Sequence, residues 1–471
     1  MMPRQIPAAE RRRASARLAG SVEAFFVRHR RLLPYVHAVM FVVFVALIAV
    51  PPLLPEAPEN AGPFDHLALF ANFAIWGLWF PLVFLSVIVT GRSWCGIFCP
   101  MGAASEFASK VGLRRRIPGW LTWEGTPVVS FLVVTILGQT VGVRDHPEAA
   151  AEIFGGTMLL AVVLGFLFAP GKRPWCRHAC PIGLLLGVFS RLGAVQFAPK
   201  RPEAGGDRWT DRGVCPTMID IRRKQESRHC IECFRCVGPP APGGLYLRLR
   251  RPGEEVERIR DHNPNPAEVW FLFLGSGAAL GGFLWLVLPL YETVRDMVAV
   301  WCIERGWLWI GESGPWWLMS VHPARREVFT WLDFSMIAGF MLAVMVALTA
   351  MLAAATWGAA LLAGGLGGTG SRRQRFVELG YQYAPVAMMS LVIGLGGGMF
   401  QAMAWAGLPD AALRAIKIGL FAVGILWSLH LGNRILAGQG LTRLARPLAL
   451  LPGLLGSTVI AAAWWPALFG M

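Results

Sequence analysis

Nine apolar stretches, most of them long enough to cross a membrane, divide the chain. They cover residues 34–54, 67–89, 127–143, 153–168, 269–290, 334–362, 384–408, 413–436 and 448–469. Because a helix rises 1.5 Å per residue, roughly 20 apolar residues are needed to span the hydrocarbon core. The third and fourth stretches are short for that length. The pattern predicts an all-α polytopic membrane protein with about nine transmembrane helices.

Composition agrees with this prediction. Hydrophobic residues make up 55% of the 471 residues, whereas charged residues make up only 15%. Soluble domains carry roughly 25% charged residues. This chain has too few charges to cover a water-exposed surface, so we expect membrane lipid to be part of its surroundings.

The charges are distributed unevenly between the connecting loops. There are 44 Lys and Arg against 29 Asp and Glu, a formal net charge of +15. Basic residues concentrate near the N-terminus and in 114–116, 171–266, 372–375 and 434–446, which lie on one side if the N-terminus is cytoplasmic. We therefore expect a bacterial inner-membrane protein whose charge sets orientation, with no nucleic-acid partner. The first apolar stretch is long enough to span, so we do not expect a cleaved signal peptide.

Two segments carry the same cysteine motif. Both read Trp-Cys-x₃-Cys-Pro-x-Gly, and both follow an apolar stretch at its predicted cytoplasmic end. Two thiols supply half of a four-ligand site, so the duplication would complete one if the two halves face each other. Soft thiolates select iron–sulfur clusters, zinc or copper(I). The candidate metal ligands are Cys95, Cys99, Cys176 and Cys180; a redox-active dithiol pair and structural cysteines are the alternatives.

A second set of cysteines lies in the long segment between the fourth and fifth apolar stretches. Cys215 precedes Pro216, and Cys-x₂-Cys-x₂-Cys follows at residues 230–236. In two-cluster ferredoxins this triplet supplies three ligands to one cubane, and a distant Cys-Pro cysteine supplies the fourth. The spacing predicts one [4Fe–4S] cluster, with zinc as the alternative. Its cofactor-binding residues would be Cys215, Cys230, Cys233 and Cys236.

The motifs suggest a division of the chain into four parts. Residues 1–33 form a basic cytoplasmic N-terminus, and 34–200 a four-helix membrane domain with both paired motifs. Residues 201–266 form a small cytoplasmic ferredoxin-like iron–sulfur segment, and 267–471 a C-terminal membrane domain of about five helices. The extramembrane segment 171–266 is too small to bury much core, so we expect a bound metal or a membrane surface to order it.

Laid out in this way, the chain resembles the membrane-bound 4Fe-4S polyferredoxins of the NosR, NapH and CcoG type. The resemblance spans roughly residues 67–240 and rests on the paired Cys-x₃-Cys-Pro motifs and the ferredoxin cysteines. The run 91–106 is similar to the first motif of NosR-like proteins, and 215–222 to the Cys-Pro-Thr-x-Ile-Asp-Ile-Arg run of CcoG-like ones. The chain departs from the family in lacking the cysteines of a second ferredoxin cubane, which makes it a divergent member.

The resemblance implies an electron-transfer subunit rather than a stand-alone enzyme. Electrons would pass between a quinol or cytoplasmic donor and a redox partner protein. A copper-binding or copper-reducing assembly factor for a respiratory enzyme is the first alternative, and a redox-sensing membrane regulator is the second.

Single histidines outside these motifs are candidates for other ligand roles. His37 and His430 lie in predicted membrane helices and could hold haem b only if they faced each other; an isolated membrane histidine more often bonds a neighbour. His178 lies inside the second motif and is a candidate to hydrogen-bond a cluster sulfur or to relay a proton. Arg92 and Arg177 are candidates to offset thiolate charge, and a role in setting membrane orientation explains them equally well. Cys302 stands alone, and we expect it to be structural or a spare thiol.

Overall fold

The computed structural model describes residues 8–58, 60–204, 209–210, 212–238, 244–325 and 327–469. Within them the chain forms helices with four short strands. The helices are α1 Ala8–His29, α2 Leu33–Ala49, α3 Leu67–Asn72, α4 Phe80–Thr90, α5 Ser93–Ile97, α6 Pro100–Val111, α7 Gly119–Thr122, α8 Thr126–Thr140, α9 Pro147–Leu167, α10 Pro181–Ser190, α11 Glu254–Glu257, α12 Pro266–Val287, α13 Pro289–Glu304, α14 Trp331–Gly365, α15 Arg372–Gly380, α16 Ala384–Leu395, α17 Gly397–Trp405, α18 Asp410–Gly438, α19 Arg446–Ala463 and α20 Trp465–Phe469. The strands are β1 Val195–Pro199, β2 Leu245–Leu249, β3 Val321–His322 and β4 Glu327–Val328.

The helical content confirms the predicted all-α polytopic membrane fold. Among the described residues, eight helical segments are long and apolar enough to cross a membrane. They are Ser15–Leu53, Leu67–Thr90, Pro147–Leu167, Pro266–Val287, Trp331–Gly365, Arg372–Leu395, Asp410–Gly438 and Arg446–Ala463. The third predicted stretch forms α8, a shorter apolar helix of 15 residues.

Two predicted stretches have different bounds in the structure. The fourth was expected to be short, but α9 has 21 residues because it begins at Pro147 and takes in the acidic residues Glu148 and Glu152. Proline is favoured in the first helical turn, where its missing N–H costs nothing. The seventh stretch ends as a helix at Leu395, and a separate helix begins at Gly397.

Most of the membrane helices share one hydrophobic core, which runs from Val83 on α4 to Trp464 beyond α19. Phe44 and Ile48 of α2 pack with Met158 of α9 in a smaller, separate cluster. Close packing of α12 on α14 depends on two glycines one turn apart. A Cβ on Gly277 would lie 2.7 Å from the Met345 Cα, and one on Gly281 would lie 2.9 Å from the Met341 Cα. Small residues at this spacing allow two helix backbones to approach closely in a membrane.

A two-stranded antiparallel sheet forms the base of the cysteine-bearing segment. β1 pairs with β2, from Val195 opposite Leu249 to Pro199 opposite Leu245. The N-terminal helix α1 packs on this sheet, where the Glu23 carboxylate accepts a hydrogen bond from the Leu247 backbone N–H at 2.9 Å. Phe26 of α1 stacks on Phe234, with ring centroids 4.2 Å apart.

A buried ionic network joins this segment to the membrane helices. Arg191, which is fully buried, donates to the carboxylates of Glu226, Glu255 and Glu268 at 2.8–2.9 Å. Although burial opposes ionisation, Arg250 and Arg191 lower the pKa of Glu255 to about 2. The Tyr381 hydroxyl donates to Glu268. One guanidinium thus holds together α10, the cysteine-bearing segment and α12.

Candidate functional site

The first paired motif forms a short helical turn followed by a longer helix. The turn α5 carries Cys95, and Cys99 is the residue that precedes α6. Pro100 occupies the first position of α6, where proline fits without loss of a hydrogen bond. The Cys99 thiol therefore lies at the positive end of a helix, where backbone N–H groups stabilise negative charge.

The second motif repeats this arrangement with a local variation. Trp175–Ala179 form a wider, π-helical turn that carries Cys176. Cys180 precedes α10, and Pro181 begins it. The two Cys-Pro pairs are thus structurally equivalent, as their shared sequence predicts.

The structure brings the four motif cysteines together. All four line one cavity, and their thiols are close enough to interact electrostatically. We call Cys95, Cys99, Cys176 and Cys180 the paired-motif site. None of the nine cysteines forms a disulfide. Burial raises the pKa of Cys99 to about 11 and that of Cys180 to about 12, so stable thiolates here require positive charge nearby.

The glycine of each motif lies against a sulfur. A Cβ on Gly102 would lie 3.0 Å from the Cys176 Sγ, and one on Gly183 would lie 3.5 Å from the Cys180 Sγ. Each side chain would enter the space in which the four sulfurs converge. The structure thereby explains why Gly follows Cys-Pro at the same spacing in both motifs.

Two buried arginines supply the positive charge. Arg92 donates to the Cys95 Sγ at 3.9 Å, and its charge also reaches Cys180. Arg173 is fully buried, donates to the Cys95 carbonyl oxygen at 2.9 Å, and interacts electrostatically with Cys176. Each arginine stands three residues before the first cysteine of its motif.

Of the two arginines that the sequence offered for this role, Arg92 contacts the Cys95 sulfur. Arg177 donates to the Thr217 carbonyl oxygen at 3.4 Å. The position of Arg173, which matches that of Arg92 in the repeat, was the signal that could have identified it.

Glu106 links Arg173, which lies just before the second motif, to Arg235, which lies within the Cys-x₂-Cys-x₂-Cys triplet. Its buried carboxylate accepts hydrogen bonds from Arg173 at 2.9 Å and from Arg235 at 2.9 Å. Burial alone would raise the pKa of Glu106, but Arg173 and Arg235 together hold it below its usual range. Glu106 is therefore a charged carboxylate that fixes both arginines.

The second cysteine set also converges. Cys215, Cys230, Cys233 and Cys236, which we call the loop site, line one small cavity of about 20 Å³. All four are buried. Between the cysteines of the triplet, Glu232 and Phe234 adopt left-handed backbone conformations with φ of 55° and 58°. Such conformations are costly for residues other than glycine and persist where the surroundings enforce them.

The two sites are in direct contact. A Cβ on Gly96, within the first motif, would lie 2.0 Å from the Ile231 carbonyl oxygen and 2.9 Å from the Cys233 backbone nitrogen. Arg173 interacts electrostatically with Cys176 of one site and Cys233 of the other. The backbone of the first motif thus packs directly on the backbone of the loop site.

The sulfurs in each site are spread more widely than a single zinc ion requires. Among the described residues, the one group of three or more potential metal ligands within 4.8 Å of one another contains no cysteine. A Zn–S bond of about 2.3 Å gives sulfur–sulfur edges of about 3.8 Å in a tetrahedral site. The spacing and the all-thiolate donor sets therefore fit an iron–sulfur cluster better than zinc.

Of the three single histidines, His37 and His430 contact other groups of the protein. The His37 Nε2 lies 3.0 Å from the Gly96 carbonyl oxygen and thus supports the first motif. The His430 Nε2, on α18, lies 3.3 Å from the carboxylate of Glu257 in α11. The His178 Nε2 is buried without a hydrogen-bond partner among the described residues, and it lines a polar cavity of about 160 Å³ with His229. Cys302 is buried in α13, apart from both sites.

The cavity at the paired-motif site extends away from the cysteines through the membrane core. It has a volume of about 260 Å³ and is lined mostly by apolar side chains, including Trp76, Trp79 and Phe154. Its other end is lined by Gln139, near the end of α8, and by Arg144, which lies shortly after α8. We call the end of the bundle that carries the cysteines the cysteine end, and the other end the opposite end.

Comparison with known proteins identifies the repeated unit. A family model described as a 4Fe-4S binding domain matches residues 73–120 and again 152–200, one match over each paired motif. No solved structure matches the chain.

Several curated proteins are similar to part of the chain. The ferredoxin-type protein NapH of Haemophilus influenzae is 28% identical over 180 residues, 33% of this chain and 62% of that protein. The methylamine utilization ferredoxin-type protein MauN of Methylorubrum extorquens is 29% identical over 150 residues, 28% of this chain and 49% of that protein. The regulatory protein NosR of Stutzerimonas stutzeri is 24% identical over 233 residues, 42% of this chain and 31% of that protein.

The similarity is thus confined to part of the chain and to less than two thirds of each of these relatives. The matches of the 4Fe-4S binding model coincide with the duplicated cysteine motif and with parts of the neighbouring membrane helices. The chain therefore contains a repeated 4Fe-4S binding unit, and over part of its length it is similar to ferredoxin-type proteins.

Proposed function

We propose that this protein transfers electrons through two adjacent iron–sulfur sites at the cysteine end of the helix bundle. One [4Fe–4S] cluster would be held by Cys215, Cys230, Cys233 and Cys236. A second cluster would be held by the paired-motif site. The contact of Gly96 with Ile231 and Cys233 is the observation that carries this proposal, because it packs the backbones of the two ligand-bearing segments against each other.

The charges around the paired-motif site support a cluster there. A [4Fe–4S]²⁺ core bound by four thiolates carries a net charge of about −2, and such charge is a determinant of reduction potential. Arg92 and Arg173 supply two buried positive charges beside those thiols. The match of the 4Fe-4S binding model to both motifs also favours a cluster over a dithiol pair.

The role of the protein residues follows from their positions. Bound clusters would supply one-electron redox chemistry. The cysteines would hold them, Gly102 and Gly183 would leave room for them, and Arg92 and Arg173 would balance their charge. Burial of six of the eight cysteines would limit access of water and oxygen.

The apolar cavity supports a quinol as electron donor to the paired-motif site. Its wall is mostly apolar and includes several aromatic side chains, it lies among membrane helices, and it reaches all four motif cysteines. A ligand pocket of this type is apolar with few polar groups, which here include Thr135, Gln139, Thr157 and the arginines at its two ends. The basic residues of the connecting loops support an orientation with both cysteine sites in the cytoplasm. The acceptor would be a redox partner protein.

Copper handling and redox-dependent regulation are competing functions for the same thiols. Thiolates also bind copper(I), and the relative NosR is described as a regulatory protein. Copper bound in place of iron after aerobic and anaerobic purification would favour an assembly factor. Loss of target-gene expression with electron flow intact would favour a regulator.

The test is the iron and acid-labile sulfide content of anaerobically purified protein, with electron paramagnetic resonance of the reduced form. We expect about eight iron and eight sulfide per chain, since two cubanes of four iron atoms each would be present. About four would limit the proposal to one cluster and contradict the second. Zinc without sulfide would contradict electron transfer.

Single substitutions assign the sites. Cys233→Ser should remove the signal of the loop-site cluster, and Cys99→Ala should alter a different signal. Cys302→Ser is the matched control, because this cysteine is buried in α13 and contacts neither site. If Cys233→Ser and Cys99→Ala change the same signal, the two-site arrangement is wrong.

A further inference from the structure

A group of potential metal ligands lies at the opposite end of the bundle from the cysteines. His146 precedes α9, Glu148 lies in its first turn, and His322 lies in β3. One ligand atom of each residue lies within 4.8 Å of those of the other two. Among the described residues this is the one such group, and its three members come from two distant parts of the sequence.

The two imidazoles are held face to face. Their ring centroids are 3.8 Å apart, and the ring planes are inclined by only 20°. His146 is 97% buried by its neighbours, with 3% of its surface exposed. The stacking brings a ring nitrogen of His146 within 4.8 Å of a ring nitrogen of His322.

The partners of His146 fix which nitrogen could bind a cation. The Nε2 lies 3.0 Å from a Glu327 carboxylate oxygen, and the Nδ1 lies 2.8 Å from the Arg325 guanidinium. A guanidinium can only donate, so the lone pair that faces Arg325 is on Nδ1 and the hydrogen is on Nε2, on the side of the Glu327 carboxylate. Metal-binding histidines are commonly oriented in this manner by a carboxylate on the second nitrogen.

Arg325 occupies the place of a cation in this arrangement. Its guanidinium faces the Nδ1 lone pair and is also paired with Glu56 at 3.0 Å, and about a third of its side chain is exposed. Because it is partly exposed, the guanidinium can swing toward solvent once its contact with His146 is broken. A metal ion at Nδ1 would displace it.

We propose that His146, His322 and Glu148 bind a divalent transition-metal ion at the opposite end of the bundle, with Glu327 orienting His146. Two imidazoles and one carboxylate are a donor set that suits Zn²⁺ and similar ions. This site is separate from the electron-transfer proposal, and it requires neither cluster.

The experiment is equilibrium dialysis of the full-length, iron-loaded protein against Zn²⁺, with metal content measured per chain. We expect the native protein to bind one Zn²⁺ more than His322→Ala and Glu148→Gln. His66→Ala is the matched control, since this histidine caps α3 and is not part of the group. Both test variants keep His146, because removal of this buried side chain would disturb the fold.

Arg325→Gln provides an independent test. Because it removes the competing cation, it should bind the additional Zn²⁺ at least several-fold more tightly than the native protein. Equal Zn²⁺ content in the native protein and in both ligand variants would overturn the proposal, as would weaker binding by Arg325→Gln. Iron content should be the same throughout, so failure here is distinguishable from failure of the electron-transfer proposal.

Discussion

At the scale of single residues, two arginines decide how negative charge is accommodated among the motif cysteines. Arg92 and Arg173 occupy equivalent positions in the two copies of the motif, and both are almost completely buried. Burial of an unpaired charge is costly, so each must interact strongly with what surrounds it. Arg173 has fixed carboxylate and carbonyl partners, Glu106 and Cys95, which hold its guanidinium beside the sulfurs.

Arg173→Gln should make the reduction potential of the paired-motif site more negative. Removal of a positive charge destabilises the reduced form, which carries one more electron. A nearby buried charge contributes on the order of 1–2 kcal/mol, which corresponds to tens of millivolts for one electron. The measurement is a redox titration followed by electron paramagnetic resonance.

Two further variants test whether this shift in potential is due to the charge of Arg173. Arg173→Lys keeps the charge and should retain most of the native potential. Arg177→Gln removes a charge that is directed toward the Thr217 carbonyl oxygen, and it should shift the potential less. An equal shift in Arg177→Gln and Arg173→Gln would argue against a specific role of Arg173.

At the scale of elements, the helices around the motifs are positioned by close backbone contacts. Helix α9 crosses α6, the helix that begins after Cys99. A Cβ on Gly165 of α9 would lie 2.1 Å from the Ser105 carbonyl oxygen, in the backbone of α6. This contact holds α6, and with it Cys99 and Glu106, against the second half of the repeat.

Gly165→Ala should therefore destabilise the protein, because the two helices must separate to admit a methyl group. Overpacking of this type costs about 1–3 kcal/mol. Gly156→Ala is the matched control on the same helix, since nothing lies within 4 Å of its Cβ position. Thermal unfolding in detergent should show a lower midpoint for Gly165→Ala only; equal midpoints would contradict this account of the α6–α9 contact.

At the scale of the whole molecule, the apolar cavity connects features that belong to distant parts of the chain. Its wall includes residues of α4, α8, α9, α12 and α16, and the four motif cysteines close it at one end. The network around Arg191 holds the C-terminal helix α12 against the cysteine-bearing segment. The C-terminal helices thereby complete a compartment that the repeated unit does not form alone.

If a quinol reduces the protein through this cavity, a bulky residue in the wall should slow the reaction. Ala279 of α12 lines the cavity, so we expect Ala279→Phe to lower the rate of reduction by a soluble quinol analogue at least tenfold. Iron and sulfide content should not change. Leu286→Phe is the matched control on the same helix, where 51% of the side chain is exposed. An unaffected rate in Ala279→Phe would exclude this cavity as the route.

The sequence alone determined the class of fold and the residues that carry the chemistry. Length and hydropathy specify membrane helices because a helix in lipid satisfies its own backbone hydrogen bonds. The duplicated motif and the ferredoxin spacing identified all eight cysteines, because ligand type and spacing are local properties of the chain. The structure brings each set of four together, as expected, while the ligand assignment itself stays a prediction.

Only the tertiary structure decided which distant residues meet. The pairing of Arg173 with Glu106, the contact of Gly96 with the loop site, and the meeting of His146 with His322 join residues separated by 67 to 176 positions. The start of α9 at Pro147 also escaped the hydropathy pattern, because Glu148 and Glu152 lie in its first turns. Such contacts depend on how helices pack against each other, and no local pattern in the sequence encodes that packing.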